Sequence, residues 1–333
     1  MVRVAINGFG RIGRMVFRIA HSDDDIEIIA VNDLTDINTL AHLLKYDSVH
    51  GRFEGKVKAK DNSLIIDDKE LKVYAEKDPE DLPWKDMDID VVIESTGFFL
   101  TRELASKHLK AGAKKVLLSA PPKGEEFIKI IVLGTNEHEY DKKKDDIISN
   151  ASCTTNCLVP MAKIINDNLK IVKGFMTTVH GYTSTQRIVD APHKDLRRAR
   201  SAAENIIPTT TGAARSVGKV IPELDGKLDG MALRVPVPDG SITEMVVLVE
   251  KETNVKEINK LFKNVSRHHM KGVLEYMEDP IVSRDIIGNT HSCIFDSQFT
   301  KVIGGNMVRV LGWYDNEYGY SCRMVDLAKM MMK

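Results

Sequence analysis

The N-terminal segment combines a short apolar run, a glycine-rich turn and an amphipathic pattern, and it restricts the fold more than any other feature. Residues 2–6 (VRVAI) predict a strand. Apolar residues then recur at the spacing of one helix face, at Ile12, Met15, Val16, Ile19 and Ala20. Between the two, Gly8, Gly10 and Gly13 fit G-x-G-x-x-G. Such glycines permit a tight turn, the approach of a pyrophosphate to the backbone and close helix packing. The segment therefore predicts a dinucleotide-binding turn.

An acidic residue follows the second predicted strand at the spacing that such a site requires. Residues 26–31 (IEIIAV) predict the strand, and Asp33 lies about 20 residues after Gly13, where a carboxylate can bond a ribose 2′-hydroxyl. A cap for the helix predicted over residues 37–46 is the other interpretation of Asp33. The flanking strand and glycines favour the dinucleotide interpretation.

Strand-like and helix-like segments alternate through the first half. Residues 101–113 predict a helix, and strands are predicted over residues 90–95, 115–119, 129–134 and 146–149. This alternation indicates an α/β fold with a Rossmann-type doubly wound parallel sheet. Residues 57–74 predict an inserted hairpin. Thr96 and Ser119 follow two strand ends, where ligands bind in this fold, so they are expected at the cofactor unless they are ordinary turn residues.

Length and composition indicate a soluble protein of two domains. The chain has 333 residues, 43% hydrophobic and 29% charged, and a formal net charge of −1, so no global field attracts it to nucleic acid or membrane. The opening MVRVAINGFGRIGR lacks the apolar stretch of a signal peptide, and the apolar runs are short for a transmembrane helix. We therefore expect a cytoplasmic protein.

Cysteine spacing argues against a metal site. In the cytosol thiols stay reduced, so we expect free thiols at Cys153, Cys157, Cys293 and Cys322. The chain has one close cysteine pair, and His268 and His269 are adjacent, which is not a zinc-ligand spacing. No metal is expected.

The polar run SNASCTTNC (149–157) lies between a predicted strand and an apolar, helix-like segment. Cys153 is therefore expected at or near a helix N-terminus, where the helix dipole favours the thiolate and lowers the thiol pKa. Cys157, one turn later, is expected to be an inert buried side chain. The alternative is that both cysteines are core residues.

A nucleophilic thiolate beside a nicotinamide indicates aldehyde oxidation. The thiolate adds to an aldehyde, the adduct loses hydride, and a second nucleophile releases the acyl group. A base must take the hydroxyl proton. His180, in the strand-like FMTTVHGYT (175–183), is the candidate, with a purely structural histidine as the alternative.

Six motifs occur in one order across nearly the entire chain: AINGFGRIGR, SNASCTTNC, VHGYTSTQ, IPTTTGAA, LRVPVP and WYDNEYGYS. In these motifs the sequence resembles the phosphorylating glyceraldehyde-3-phosphate dehydrogenases. The resemblance implies oxidation of D-glyceraldehyde 3-phosphate with NAD and inorganic phosphate to 1,3-bisphosphoglycerate, in glycolysis or gluconeogenesis. It also implies a second, α+β catalytic domain with a mostly antiparallel sheet. The expected domains are residues 1–152 with 316–333 for the cofactor, the last helix packing on the first domain, and 153–315 for catalysis.

The resemblance assigns roles at the reacting centre. Cys153 would be the catalytic thiolate and His180 its base, and the Cys153 N–H with the imidazolium would stabilise the oxyanion. Thr183 and Arg234 would bind the substrate phosphate. The inorganic phosphate would be bound by Ser152, Thr154, Thr211 and Gly212. Hydroxyl and N–H donors beside a fixed cation suit phosphates, although TTTGAA also fits an ordinary polar helix start.

The resemblance also implies a set of cofactor contacts. They are Asn7, Gly8, Gly10, Arg11, Ile12, Asp33, Thr96, Ser119 and Asn316, with Tyr320 flanking the nicotinamide. Asp33 would repel a 2′-phosphate, and Leu34 and Pro192 match NAD-specific members. Ala191 instead matches members that also accept NADP, and Arg197 and Arg198 could hold its phosphate. We expect NAD, with NADP use left open.

Other interpretations concern the assembly, the substrate and the protein class. A homotetramer follows from the resemblance, with the basic run HKDLRRARS (193–201) at a subunit interface rather than on nucleic acid. No dedicated nucleic-acid or membrane partner is expected.

A related enzyme oxidises erythrose 4-phosphate, and the motifs VHGYT and PTTTGAA favour glyceraldehyde 3-phosphate as the substrate over erythrose 4-phosphate. Non-phosphorylating aldehyde dehydrogenases, which use water to release the acyl group, lack this motif set. A catalytically silent nucleotide-binding scaffold is the alternative from another class, and the intact Cys153 and His180 argue against it.

Overall fold

The computed structural model describes residues 1–333, which form two compact units. The first comprises Met1–Ile131, His138–Ala151 and Ser321–Lys333, and the second comprises Val132–Glu137 and Ser152–Tyr320. No helix of the chain combines the length and the apolar character needed to cross a bilayer.

The first unit is built on one nine-stranded sheet. Its strands are β1 (Val2–Asn7), β2 (Ile26–Asn32), β3 (Val57–Lys60), β4 (Ser63–Ile66), β5 (Lys69–Tyr74), β6 (Val91–Glu94), β7 (Lys115–Leu118), β8 (Lys129–Ile130) and β9 (Ile147–Ser149). The helices are α1 (Arg11–Ala20), α2 (Ile37–Lys45) and α3 (Arg102–Lys110). The strand order is β3-β4-β5-β2-β1-β6-β7-β9-β8, and every pair from β5 to β8 is parallel. The predicted Rossmann-type parallel sheet is confirmed.

One predicted hairpin and one predicted strand differ from the structure. The segment at residues 57–74 is a three-stranded meander rather than a hairpin, because β5 also pairs in parallel with β2 and so extends the main sheet. The strand predicted over residues 129–134 has only the two residues of β8. The chain turns immediately afterwards, where the N–H of Thr135 donates to the carbonyl of Val132 and Gly134 adopts φ +81°.

Buried central strands explain the continuous apolar runs of the first unit. All residues of β6 and β7 are buried, as expected for parallel strands with both faces covered. α3 begins after Thr101, whose hydroxyl accepts the N–H of Leu104 at 3.2 Å, and ends before Gly112 at φ +106°. The cap and the left-handed glycine end this helix inside the predicted range.

The second unit is built on a mostly antiparallel sheet, which confirms the predicted second fold class. Its elements are α4 (Cys153–Leu169), β10 (Ile171–Gly181), β11 (Ile207–Thr210), α5 (Ala213–Val220), β12 (Leu228–Val235), β13 (Ser241–Val249), α6 (Val255–Arg267), β14 (Leu274–Met277), β15 (Cys293–Asp296), β16 (Lys301–Ile303) and β17 (Met307–Tyr314). The order is β11-β12-β10-β13-β17-β15-β14, with β16 also on β17. β10 with β12 and β14 with β15 are parallel.

The final helix, α7 (Tyr318–Met332), begins two residues into the C-terminal segment 316–333. Asp315 accounts for this start, because its Oδ1 accepts the N–H groups of Glu317 and Tyr318 at 2.9 and 2.6 Å. From Ser321 onward the helix belongs to the first unit. There Tyr140 donates its hydroxyl to the carbonyl of Met331 at 3.0 Å.

Candidate active site

The glycine-rich turn has the geometry that its sequence predicts. Gly8 adopts φ +93°, and a Cβ there would lie 2.7 Å from the backbone N of Thr96. A Cβ on Gly13 would lie 2.2 Å from the carbonyl oxygen of Gly8. Any other side chain would therefore collide with backbone at either position. Gly10 caps α1 without a side-chain hydrogen bond, so this helix N-terminus suits an anion.

A cleft of about 450 Å³ opens beside this turn within the first unit. It is lined by Asn7, Gly8, Gly10, Asn32, Asp33, Leu34, Glu76, Lys77, Ser95, Thr96, Phe98 and Phe99. Asp33 is fixed at its edge, since its two carboxylate oxygens accept the N–H groups of Phe9 at 2.8 Å and Thr35 at 2.9 Å. Five of the predicted cofactor residues line the cleft. The close backbone packing at Gly8 and Gly13 fits the glycine-rich turn of a dinucleotide site.

Three other predicted cofactor residues of this unit do not line the cleft: Arg11, Ile12 and Ser119. Ser119 donates its N–H to the carbonyl of Glu94 at 2.9 Å. Arg11 forms a short ion pair with Asp47, whose side chain is only 1% exposed. Burial acts to raise the pKa of Asp47, but the N–H groups of His50 and Val49 and the Arg11 guanidinium hold it at about 2.

Asp47 makes the stability of the chain depend on acid pH. Its folded pKa lies below the ordinary value, so its contribution is present above about pH 4 and is lost as the pH falls toward 2. We expect Asp47→Asn to lower the free energy of unfolding at pH 7 by about 1–2 kcal/mol, allowing for solvent at half-buried Arg11. The variant should then lose less stability than the parent chain between pH 4 and pH 2. Urea unfolding at these pH values measures both effects, and Asp24→Asn, at an exposed position, is the control. If Asp47→Asn and the parent chain lost the same stability between pH 4 and pH 2, Asp47 would not be the source of the pH dependence.

Cys153 is the first residue of α4, as the sequence predicts. The hydroxyl of Ser152 caps the helix by accepting the N–H of Thr155 at 3.1 Å. Just before it, Ala151 adopts φ +53°, a strained conformation for a residue with a side chain. Cys157 lies one turn later, fully buried, and its thiol faces the carbonyl of Gly312 at 3.5 Å. Only Cys153 is partly exposed among the four cysteines.

Three predicted residues meet at the end of β10. The Sγ of Cys153 lies 3.4 Å from Nε2 of His180. The ring's Nδ1 lies 2.7 Å from the carbonyl oxygen of Gly181 and 2.5 Å from Nη1 of Arg234. Parallel pairing of β10 with β12 sets His180 opposite Arg234, which explains this meeting. Nδ1 thus faces a carbonyl acceptor and a guanidinium that can only donate, so the tautomer depends on which contact is kept. When Nδ1–H donates to Gly181, Nε2 is an acceptor that faces the sulfur; when Nδ1 accepts from Arg234, Nε2 carries the proton.

Burial controls the protonation of this pair. It raises the pKa of the Cys153 thiol to about 11, although the Arg234 guanidinium and the Thr154 N–H act to lower it. It also lowers the pKa of His180 to about 3, and Arg234 acts in the same direction. The helix N-terminus acts on the Cys153 pKa in the expected direction, but the net pKa is higher than the helix position alone predicts, because burial outweighs it. Proton transfer from Sγ to Nε2 would create opposite charges side by side, whose attraction offsets part of this cost.

Comparison with known proteins identifies the family. Residues 2–102 match the NAD binding domain of glyceraldehyde 3-phosphate dehydrogenase, and residues 152–316 match its C-terminal domain. A glyceraldehyde-3-phosphate dehydrogenase of Thermotoga maritima is 59% identical over 335 residues, covering 100% of both chains. One from Geobacillus stearothermophilus is 58% identical over 327 residues, covering 98% of this chain and 97% of the relative.

The chain belongs to the glyceraldehyde-3-phosphate dehydrogenase family. It is accordingly an NAD-dependent oxidoreductase, and NAD is its cofactor. The resemblance inferred from six motifs is confirmed by both family domains.

Tyr314 lies beside the Cys153–His180 pair, and the sequence analysis missed it. Its hydroxyl lies 2.9 Å from that of Thr154 and 2.8 Å from that of Thr178, and its ring meets His180 edge-on at 6.0 Å. Burial raises the pKa of Tyr314, so it stays a neutral hydroxyl. The motif WYDNEYGYS contains it, but no spacing rule connects it to Cys153. Thr154, a predicted phosphate contact, is 4% exposed and directs its hydroxyl to Tyr314.

The remaining predicted residues of the second unit lie at separate positions. The hydroxyl of Thr183 lies 2.9 Å from that of Thr185, and the hydroxyl of Thr211 accepts the N–H of Ala213 at 3.2 Å. Gly212 caps α5 without a side-chain bond. No hydrogen bond joins Thr183, Thr211 or Gly212 to the Cys153–His180 pair. Asn316 and Tyr320 are both buried, and Asn316 accepts the hydroxyl of Ser241 at 2.6 Å.

Proposed function

We propose that this chain is a phosphorylating glyceraldehyde-3-phosphate dehydrogenase, which oxidises D-glyceraldehyde 3-phosphate with NAD and inorganic phosphate to 1,3-bisphosphoglycerate. The observation that carries the proposal is the 3.4 Å contact between the Cys153 sulfur and His180 Nε2, with Arg234 on the far side of the ring. A thiol, a base and a partly buried cation are what thioester chemistry on a phosphorylated aldehyde needs. The glycolytic or gluconeogenic role follows from this reaction.

The reaction begins with proton transfer within the pair. Nε2 of His180 takes the thiol proton, and Sγ of Cys153 attacks the aldehyde carbon to give a thiohemiacetal. The N–H of Cys153, at the start of α4, and the imidazolium stabilise the oxyanion. The imidazolium then returns its proton to the oxyanion, and the neutral His180 takes the hydroxyl proton again as hydride leaves the carbon and a thioester forms. When bound, NAD accepts the hydride.

Phosphate recognition is proposed for the donors around this pair. Arg234 is a partly buried guanidinium, and with Thr183 it binds the substrate phosphate. Ser152, Thr154, Thr211 and Gly212 bind the inorganic phosphate that attacks the thioester. The uncapped N-terminus of α5 supports the last two assignments, because its N–H groups favour an anion. Thr154 must turn its hydroxyl away from Tyr314 to contribute.

The cofactor contacts proposed are Asn7, Gly8, Gly10, Arg11, Ile12, Asp33, Thr96 and Ser119 in the first unit, and Asn316 with Tyr320 in the second. The cleft beside the glycine-rich turn supports those that line it. Arg11 would have to leave Asp47, whereas Ile12 and Ser119 would contribute through their backbone. NADP is proposed as a weaker alternative, disfavoured by the carboxylate of Asp33.

Asp33 is expected to set the preference for NAD. Asp33→Ala should weaken NAD binding about tenfold by removing an acceptor for the ribose hydroxyls, and should strengthen NADP binding relative to NAD by removing a like charge. Titration of the variant with each cofactor measures the change. Glu27→Ala, at an exposed position of β2, the strand that precedes Asp33, serves as the control. Unchanged selectivity would place the adenosine ribose elsewhere.

Domain roles and assembly complete the proposal. Residues 1–152 with 316–333 form the cofactor domain and 153–315 the catalytic domain. We propose a cytoplasmic homotetramer, with the segment at 193–201 at a subunit interface. Exposed apolar side chains in and beside this segment support its place at an interface: Ile188, Val189, Leu196 and Ile206.

Erythrose 4-phosphate is the competing substrate. The experiment compares kcat/KM for glyceraldehyde 3-phosphate and erythrose 4-phosphate by following NADH formation in phosphate buffer. We expect glyceraldehyde 3-phosphate to be preferred by about two orders of magnitude or more, since an extra hydroxymethylene must fit a fixed spacing between sulfur and phosphate site. A preference for erythrose 4-phosphate would overturn the substrate assignment.

A further inference from the structure

A buried carboxylate lies beneath the cofactor cleft at the end of β6. Glu94 is 0% exposed and its carboxylate meets four hydrogen-bond donors. Oε2 accepts from Nδ2 of Asn7 at 2.6 Å and from Nε2 of His108 at 3.1 Å. Oε1 accepts the N–H of Thr96 at 2.8 Å and, in a short bond, its hydroxyl. A buried anion satisfied by four donors is costly to disturb.

Trp84 fixes the proton on His108. The indole Nε1–H lies 3.1 Å from Nδ1 of His108, and both side chains are fully buried. An indole N–H can only donate, so Nδ1 must be an acceptor and the single ring proton must be on Nε2. That proton faces Glu94. The chain Trp84–His108–Glu94 therefore has one consistent set of donors and acceptors, with a neutral imidazole and an ionised carboxylate.

Both oxygens of Glu94 hold walls of the cleft. Asn7 lines the cleft and is itself bonded to the neighbouring strand. Its Oδ1 accepts a hydrogen bond from Nδ2 of Asn32 at 2.7 Å, and Oδ1 of Asn32 accepts the N–H of Glu76 at 2.8 Å. On the other side, the hydroxyl of Thr96 accepts the N–H of Phe98 at 3.1 Å. The carboxylate thus joins the wall formed by β1 and β2 to the wall formed by residues 95–99.

We infer that Glu94 is a positioning residue for NAD, which acts through Asn7 and Thr96, and that the His108–Trp84 pair orients its carboxylate. The inference rests on the proposed binding of NAD in this cleft. Glu94 touches no ligand itself. Its effect is to keep the two cleft walls in the binding geometry before the cofactor arrives, which reduces the ordering cost of binding.

Replacement of the carboxylate by an amide tests the inference. In Glu94→Gln an NH₂ group replaces one of the two carboxylate oxygens. The donors that this oxygen accepted, which are either those of Thr96 or those of Asn7 and His108, then face another donor. We expect NAD to bind about tenfold more weakly or worse, because one or two buried donors lose their partners. The KM for glyceraldehyde 3-phosphate and the alkylation rate of Cys153 without NAD should not change. A folded Glu94→Gln variant that binds NAD within twofold of the parent chain would overturn the inference.

A matched pair at His108 keeps the test decisive if Glu94→Gln does not fold. The amide of His108→Gln can accept from Trp84 and donate to Glu94, whereas His108→Leu does neither. We expect the glutamine variant to bind NAD within about threefold of the parent chain and the leucine variant about tenfold more weakly. Equal affinities of the two variants would contradict a positioning role.

Asp33→Ala separates the two possible failures. If Asp33→Ala weakens NAD binding while Glu94→Gln and His108→Leu do not, the cleft assignment stands and the positioning role of Glu94 is wrong. If none of the three variants changes NAD affinity, the cofactor binds elsewhere and the cleft assignment itself fails.

Discussion

Replacing Cys153 with serine is expected to reduce phosphorylating oxidation of glyceraldehyde 3-phosphate by about a thousandfold or more. A serine hydroxyl at this position is a far weaker nucleophile than the thiolate and gives an ester in place of a reactive thioester. Steady-state NADH formation measures the loss. Iodoacetamide should also no longer label residue 153, which mass spectrometry of the digested protein checks.

Cys157→Ala is the matched control for this prediction. Cys157 lies in the same helix one turn away, but it is fully buried against Gly312 and has no contact with His180. It should cost some stability and leave kcat near that of the parent chain. An active Cys153→Ser variant, or an inactive but folded Cys157→Ala variant, would mean that the nucleophile has been assigned to the wrong residue.

Removal of the Arg234 guanidinium is expected to have the second-largest effect. Arg234→Leu should lower kcat/KM for glyceraldehyde 3-phosphate by about a hundredfold or more, since a charge-assisted phosphate contact is lost. Burial is the main cause of the low His180 pKa, and Arg234 adds to it. Without the guanidinium, the His180 pKa should rise while staying below its ordinary value. The acid limb of the pH–rate profile should then move to higher pH.

Arg215→Leu is the control, because Arg215 is an exposed arginine on α5. It should change neither kcat/KM nor the pH profile. Arg234→Lys keeps the charge but not the two-pronged geometry, and it should fall between the parent chain and the leucine variant. If Arg234→Leu changed kcat/KM while the acid limb stayed in place, Arg234 would act on the phosphate alone and not on His180.

Local sequence rules were sufficient where neighbouring residues determine the geometry. The strand, turn and helix of the first 20 residues could be predicted because glycine conformation and helical spacing are local properties. The same holds for Cys153, since Ser152 caps α4 from the adjacent position. Position after a strand end also placed Thr96 at the cleft.

Features that depend on pairing between distant segments could not be predicted from periodicity. Arg234 meets His180 only because β12 pairs with β10 in one parallel register, which is a tertiary property. Tyr314 reaches Thr154 from 160 positions away. The meander at residues 57–74 was mistaken for a hairpin because its third strand pairs with β2, a distant partner.

The Cys153 pKa shows a competition that sequence position cannot resolve. The helix N-terminus favours the thiolate, as the sequence position suggests, and Arg234 acts in the same direction. Burial opposes them and is larger, so the pKa rises to about 11. The burial of the sulfur depends on every segment of the chain that packs over it. The position of Cys153 in the sequence identifies only the helix on which it lies.

The most direct test of the account is NADH formation from glyceraldehyde 3-phosphate and NAD with and without inorganic phosphate, other conditions being equal. The account predicts strong dependence on phosphate, because phosphate must release the acyl group from Cys153 as an acyl phosphate. Equal rates without phosphate would mean that water resolves the thioester. Ser152, Thr154, Thr211 and Gly212 would then lose their proposed role, and the phosphorylating mechanism would be contradicted.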